Sequence, residues 1–60
     1  MKEKIRAFRE AKGPSQKELA EALGVDQSAI SAWERGIAEP TMFNFRRLAS
    51  VLGVEPRELL

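Results

Sequence analysis

Glycine and proline divide this chain of 60 residues into short segments, and that division limits the possible folds more than any other feature. Gly13-Pro14, Gly24, Gly36 and Gly53 each follow a stretch whose apolar residues have helical spacing, and each is a typical helix stop. No stretch alternates apolar and polar residues with the two-residue period of a strand. The connections are too short for anything but helices packed on helices, so the sequence predicts a compact all-α domain.

Capping signals mark the ends of five predicted helical segments. Ser15 and Glu18 fit a capping box, in which each side chain accepts a hydrogen bond from the backbone N–H of the other residue. Asp26 and Thr41 are predicted N-caps, and Pro56 suits the first position of a last turn. The segments are predicted to run from about Lys2 to Ala11, from Gln16 to the stop at Gly24, from the cap at Asp26 to Gly36, from Thr41 to Gly53, and from Glu55 onwards.

Apolar residues at helical spacing predict one core shared by all five segments. Phe43 and Val51 lie off the core side of the fourth helix, so they either form a dimer contact or pack against the chain's own last turn. The expected core members are Ile5, Phe8, Leu19, Ala20, Leu23, Val25, Ala29, Ile30, Trp33, Met42, Phe45, Leu48, Ala49, Leu52, Leu59 and Leu60.

The residue types that are missing exclude most catalytic chemistry. The chain has no cysteine and no histidine, which removes disulfides, thiolate metal sites and the usual zinc ligand and general base. We therefore expect no catalytic residue, no metal, no cofactor and no small-molecule substrate. The apolar runs are too short to span a membrane and no signal peptide is recognisable, so a cytoplasmic protein without a membrane partner is expected.

The net charge is only +1, but the charges are unevenly distributed. Residues 1–12 carry five basic and two acidic side chains, whereas the rest of the chain carries five basic and seven acidic ones. Basic side chains could add diffuse attraction to DNA, although for each one alone a solvated surface position is the expected account. They are Lys2, Lys4, Arg6, Lys12, Lys17, Arg46 and Arg47.

The join between the second and third helices is the most informative part of the chain. About eight residues of helix, a turn of about three residues and a second helix of similar length match a helix-turn-helix, in which two helices cross at a steep angle. Ala20 is small enough for the helices to approach closely, and Gly24 tolerates the left-handed backbone of such a turn. Residues 16–35 are therefore predicted to form this motif within a single domain of residues 1–60.

The segment SQKELAEALGVDQSAISAWERG resembles the helix-turn-helix of the phage Cro and repressor-type proteins, the Xre family, and the similarity covers nearly the whole chain. The resemblance implies a lambda-repressor-like fold that binds DNA through its third helix. It also implies a structural ion pair between Arg9 and Glu34, joining the first and third helices. The matching features are Arg9, Ser15 to Ala20, Gly24, Ile30 to Gly36, and Leu48 to Val54.

A helical projection of the third helix puts Ile30 and Trp33 on the core side and short side chains on the other. Glutamine can pair with the edge of adenine, serine can donate or accept a hydrogen bond, and an alanine methyl suits the methyl group of thymine. The alternative is that these small residues merely cap and solvate a short helix. The candidates for base contacts are Gln27, Ser28, Ser31 and Ala32.

Three further residues are candidates for phosphate contacts. Gln16 opens the second helix, where free N–H groups and the positive end of the helix dipole suit an anion, and the resemblance implies a DNA contact there. Arg35, at the end of the third helix, and Asn44, at the start of the fourth, are expected to assist it. The loop Ile37-Ala38-Glu39 departs from the family pattern, because many relatives carry lysine or arginine there, and this weakens the expected phosphate contacts.

The sequence therefore predicts a bacterial or phage-encoded transcriptional regulator that binds double-stranded DNA, with repression as the expected mode of action. A homodimer would hold two third helices about 34 Å apart and would require a palindromic operator. The alternative is a helical protein-interaction module, antitoxin-like or coactivator-like, in which DNA binding is secondary.

Overall fold

The computed structural model describes residues 1–60 as four α-helices followed by one short 3-10 helix, without any strand. The all-α prediction is confirmed. The prediction of five helices is confirmed for the first four, whereas the last segment, from Pro56 to Leu59, is a 3-10 turn of four residues. The elements are α1 (Lys2–Lys12), α2 (Gln16–Leu23), α3 (Gln27–Arg35), α4 (Met42–Leu52) and the terminal 3-10 helix (Pro56–Leu59).

The helix starts follow most of the predicted capping signals. The capping box is confirmed, since Ser15 Oγ accepts from the N–H of Glu18 at 3.0 Å and Glu18 Oε1 accepts from the N–H of Ser15 at 2.8 Å. Thr41 Oγ1 accepts from the N–H of Asn44 at 3.2 Å. Asp26 occupies the N-cap position of α3 with extended backbone, but its side chain accepts no hydrogen bond, so only the position of this cap was predicted correctly.

The core lies where α1, α2, α3 and α4 meet, and the terminal 3-10 helix closes one side of it. Met42 and Leu60, both expected in the core, are 64% exposed, because each stands at the end of its element where nothing covers it. The two residues predicted to lie off the core side of α4 differ: Val51 packs against the core, whereas Phe43 is exposed. The buried apolar residues are Ile5, Leu19, Ala20, Leu23, Ile30, Trp33, Phe45, Leu48, Ala49, Leu52 and Leu59.

The turn between α2 and α3 depends on the backbone of Gly24. Its φ of 72° and ψ of 30° are left-handed, and its N–H and that of Val25 donate to carbonyls of the last turn of α2. This arrangement ends α2 sharply and lets α3 begin only three residues later at Gln27.

None of the helices is both long enough and apolar enough to cross a lipid bilayer.

Replacing Gly24 with alanine is predicted to destabilise the domain by about 1–2 kcal/mol, the cost of a left-handed backbone for a residue with a β-carbon. A β-carbon at this position would meet no other atom within 4 Å, so the loss reports backbone conformation and not crowding. Gly24→Asn is the matched control, because asparagine tolerates this conformation better. Urea denaturation of the three proteins measures the effect, and equal stabilities would contradict a left-handed turn.

Candidate nucleic-acid interface

The outer side of α3 carries short polar side chains directly after the turn. Gln27 and Ser28 are exposed, whereas Ser31 and Ala32 are half-buried one turn further on. The opposite side is fixed to the core by Ile30, of which no surface is exposed, and by Trp33. The helix therefore presents a surface with no long charged side chain over its first two turns.

Two further candidate residues lie at helix ends, Arg35 at the end of α3 and Asn44 in the first turn of α4. Arg35 is exposed, and its Nε donates a long hydrogen bond of 3.4 Å to the carbonyl of Ser31 on its own helix. Asn44 is half-buried in the first turn of α4, and its side chain makes no hydrogen bond within the domain. Both side chains retain donors that an external acceptor could use.

Gln16 is held by the same carboxylate that pairs with Arg9. Its Nε2 donates to Glu34 Oε1 at 3.0 Å, so the amide of the first residue of α2 is oriented toward the last turn of α3. The N–H groups of Gln16 and Lys17 remain without acceptors in the chain, because the side chain of Ser15 accepts only from the N–H of Glu18. The start of α2 thus combines free backbone donors with an oriented side-chain amide.

Arg9 and Glu34 form a two-point ion pair between α1 and α3. Arg9 Nε lies 2.6 Å from Glu34 Oε2, Arg9 Nη2 donates to Glu34 Oε1 at 3.2 Å, and the side chain of Glu34 is only 3% exposed. The third guanidinium nitrogen, Nη1, donates to the carbonyl of Pro14 at 3.0 Å. One arginine therefore connects three points of the chain: α1, the loop before α2 and the end of α3.

The protonation of this pair follows from its surroundings. Burial would raise the pKa of Glu34, but hydrogen bonds from Arg9 and Gln16, with the positive charges of Arg9 and Arg6, outweigh burial and hold that pKa below its usual value. The hydrogen bond to Glu34 raises the pKa of Arg9. Glu34 is therefore a carboxylate at neutral pH, with both oxygens accepting hydrogen bonds.

Arg47 has a structural role that the sequence does not predict, since the sequence indicates only a solvated basic residue at this position. Its Nη1 donates to the carbonyl of Leu23 at 2.6 Å, and its Nη2 lies 3.4 Å from the carbonyl of Ala22. The side chain is half-buried and its Cζ lies 5.5 Å from the centre of the Phe43 ring. No local pattern predicts this contact, since it joins residues 24 positions apart.

The loop after α3 contributes no positive charge to this surface. Ile37, Ala38 and Glu39 are all exposed, and the N–H groups of Ile37 and Ala38 donate back to the carbonyl of Ala32. The domain also contains no group of three acidic, histidine or cysteine side chains that could hold a metal ion.

Two short helices that are joined by a tight turn, with short side chains on the outer side of the second helix, define the class of helix-turn-helix proteins. The helix-turn-helix family matches residues 5–59, so this chain belongs to that family. It is 40% identical over 58 residues to the HTH-type transcriptional regulator DicA of Escherichia coli strain K12, covering 97% of this chain and 43% of DicA. The chain spans about half the length of the curated relatives it matches.

Solved structures of similar sequence have the same fold. The P22 c2 repressor, crystallised in complex with a synthetic operator, superposes with a TM-score of 0.94 at 39% identity, covering 98% of this chain and 89% of that one. SinR, a master regulator for biofilm formation crystallised with DNA, superposes with a TM-score of 0.92 at 34% identity, and both chains are covered completely.

Removing one partner of the ion pair is predicted to be far more costly than removing both. Arg9→Met leaves Glu34 buried and unpaired, which should reduce the free energy of unfolding by about 3–5 kcal/mol. Arg9→Met combined with Glu34→Leu should recover much of that loss, because no buried charge remains. Arg6→Met, which breaks the exposed 3.3 Å pair with Glu10, is the control and should cost less than about 1 kcal/mol. Urea denaturation at pH 7 separates these cases, and similar losses for Arg9→Met and Arg6→Met would contradict the prediction that burial makes an unpaired Glu34 costly.

The stabilisation supplied by Glu34 is predicted to disappear in acid. Because its folded-state pKa is lowered, this stabilisation is complete above the unfolded-state pKa of about 4.3 and is lost as the pH falls through the folded value. The difference in unfolding free energy between the wild type and Glu34→Gln should therefore stay constant from pH 7 to about 5 and narrow below about 4.3. Denaturation at a series of pH values tests this, and a difference that is unchanged at the lowest pH would disprove it.

Proposed function

We propose that this domain binds double-stranded DNA sequence-specifically, as the DNA-binding part of a transcriptional regulator of the repressor type. The observation that carries the proposal is the outer side of α3, where Gln27 and Ser28 project from the start of a helix whose other side is fixed by Ile30 and Trp33. A helix clear of long charged side chains on one side can enter the major groove, which is wide enough to admit it. Membership of the helix-turn-helix family supports the same function.

The proposed base contacts follow from the chemistry of the exposed side chains. Gln27 offers one donor and one acceptor in the geometry that matches the edge of adenine, and Ser28 can serve either kind of base edge. Ser31 and Ala32, half-buried one turn later, present a hydroxyl and a methyl group close to the helix surface. A thymine methyl is the natural partner for the alanine.

The proposed phosphate contacts lie at helix ends. The free N–H groups of Gln16 and Lys17, aided by the helix dipole, suit a phosphate oxygen at the start of α2. Glu34 accepts from the Nε2 of Gln16 and so fixes the direction of its amide. Arg35 at the end of α3 and Asn44 at the start of α4 supply further donors, and these contacts set the orientation of the domain on the duplex.

We further propose that two copies bind a palindromic operator as a homodimer in the cytoplasm. Of the two residues predicted to lie off the core side of α4, Val51 packs on the core and Phe43 is exposed, and Leu60 is the other exposed apolar residue near the end of the chain. The longest dimension of the backbone is 23 Å, less than the spacing of about 34 Å between successive major-groove half-sites. Two copies therefore fit side by side on one face of the DNA.

Gln27→Ala is predicted to weaken binding to the preferred site by about 1–3 kcal/mol and to relax preference at one base pair. Gln16→Ala is the matched control, because it removes the same side chain from a phosphate contact and should weaken all sequences equally. The preferred site comes from selection in random DNA at physiological salt, and fluorescence anisotropy measures each affinity. If Gln27→Ala weakened binding to the preferred site and to random DNA equally, Gln27 would have no role in base recognition.

Salt dependence distinguishes DNA binding from a protein-interaction function. Phosphate contacts release counterions, so the logarithm of the DNA affinity should fall linearly with the logarithm of the salt concentration. The proposed function would be contradicted if selection from random DNA enriched no sequence and if DNA binding were weak and independent of the salt concentration.

A further inference from the structure

The guanidinium of Arg47 on α4 caps the C-terminal end of α2. Its Nη1 donates to the carbonyl of Leu23 at 2.6 Å and its Nη2 approaches the carbonyl of Ala22 at 3.4 Å. These are the last two residues of α2, and the contacts span 24 and 25 positions of the chain. The capping interaction therefore joins two helices that are distant in sequence.

The backbone leaves these two carbonyls without donors. Gly24 donates to the carbonyls of Ala20 and Glu21, and Val25 donates to that of Ala20, so the turn closes without using Ala22 or Leu23. An arginine side chain is suited to these two unpaired carbonyl groups, because the fixed fork of the guanidinium can donate to two acceptors at once. Stacking of the guanidinium over the Phe43 ring limits its freedom further.

This cap lies between the two proposed DNA contacts of the motif. Leu23 is the last residue before the turn, and α3 begins with Gln27 four residues later. The other end of the motif is held by Arg9, which contacts Pro14 just before α2 and Glu34 near the end of α3. Arg9 and Arg47 thus fix opposite ends of α2 relative to the rest of the domain.

We propose that Arg47 is a positioning residue for DNA recognition, which sets the distance between Gln16 on the phosphate backbone and Gln27 on the bases. This inference rests on the proposed function and deepens it. Arg47 acts through the carbonyls of Leu23 and Ala22, and its positive charge is directed into the domain rather than toward a phosphate. Losing it shifts the turn, and specific binding suffers more than non-specific binding because only base contacts require the correct spacing.

Arg46 provides a matched control. It is the neighbouring residue on α4, it is exposed, and its side chain makes no hydrogen bond or ion pair. Arg46→Met and Arg47→Met therefore remove the same charge from the same helix, and only the second removes the cap. Arg47→Lys keeps the charge but loses the forked geometry.

The experiment compares binding of these three variants and the wild type to the selected site and to random DNA, at a temperature where circular dichroism shows each to be folded. We expect Arg47→Met and Arg47→Lys to lower the ratio of specific to random affinity at least about fivefold, the smallest effect of losing one base contact. Arg46→Met should leave that ratio within about twofold of the wild type, and the salt dependence of Arg47→Lys should match the wild type. A specificity ratio for Arg47→Lys equal to that of the wild type, or equal uniform losses for Arg46→Met and Arg47→Met with a reduced salt slope, would overturn the proposal.

A second measurement tests the cap without DNA. In nuclear magnetic resonance spectra, Arg47→Met should shift the backbone amides of Gln27 and Ser28, whereas Arg46→Met should leave them in place. If the wild type shows no preferred site, the proposed function fails, and unchanged amides in Arg47→Met then overturn the positional role of Arg47 separately.

Discussion

The ion pair between Arg9 and Glu34 is the interaction on which the rest of this domain depends. A carboxylate as buried as Glu34 is unfavourable unless its oxygens are paired, and here the guanidinium and the amide of Gln16 supply the donors. The same guanidinium holds the carbonyl of Pro14. The ion pair therefore connects α1, the start of α2 and the end of α3.

A directional interaction is needed because the apolar core is small and non-directional. Eleven buried apolar residues hold the helices together, but apolar contact depends on area and specifies the angle between short helices only weakly. Two arginines add hydrogen bonds of defined geometry at the ends of α2. The core therefore supplies most of the stability, and the guanidinium groups orient the helices of the helix-turn-helix relative to the rest of the domain.

The sequence predicted the elements well because the signals that end and begin helices are local. A left-handed glycine, a capping box and an N-cap threonine act within four residues, and the structure contains each of them where expected. The errors in the predicted core lie at the ends of elements. Met42 and Leu60 have the correct spacing for the core but are exposed, because spacing does not reveal where neighbouring helices stop.

The amino-acid sequence by itself determined the all-α class, the position of the turn at Gly24 and the short-chained outer side of α3, since each follows from residues within one or two helical turns. Only the tertiary structure decided which charged residues are structural. Arg46 and Arg47 are equivalent in sequence, yet one is solvated and the other caps a helix that begins about 30 residues earlier. The physical reason is that a guanidinium bonds to whatever unsatisfied carbonyl the packed helices bring near it, and that proximity exists only after the chain has folded.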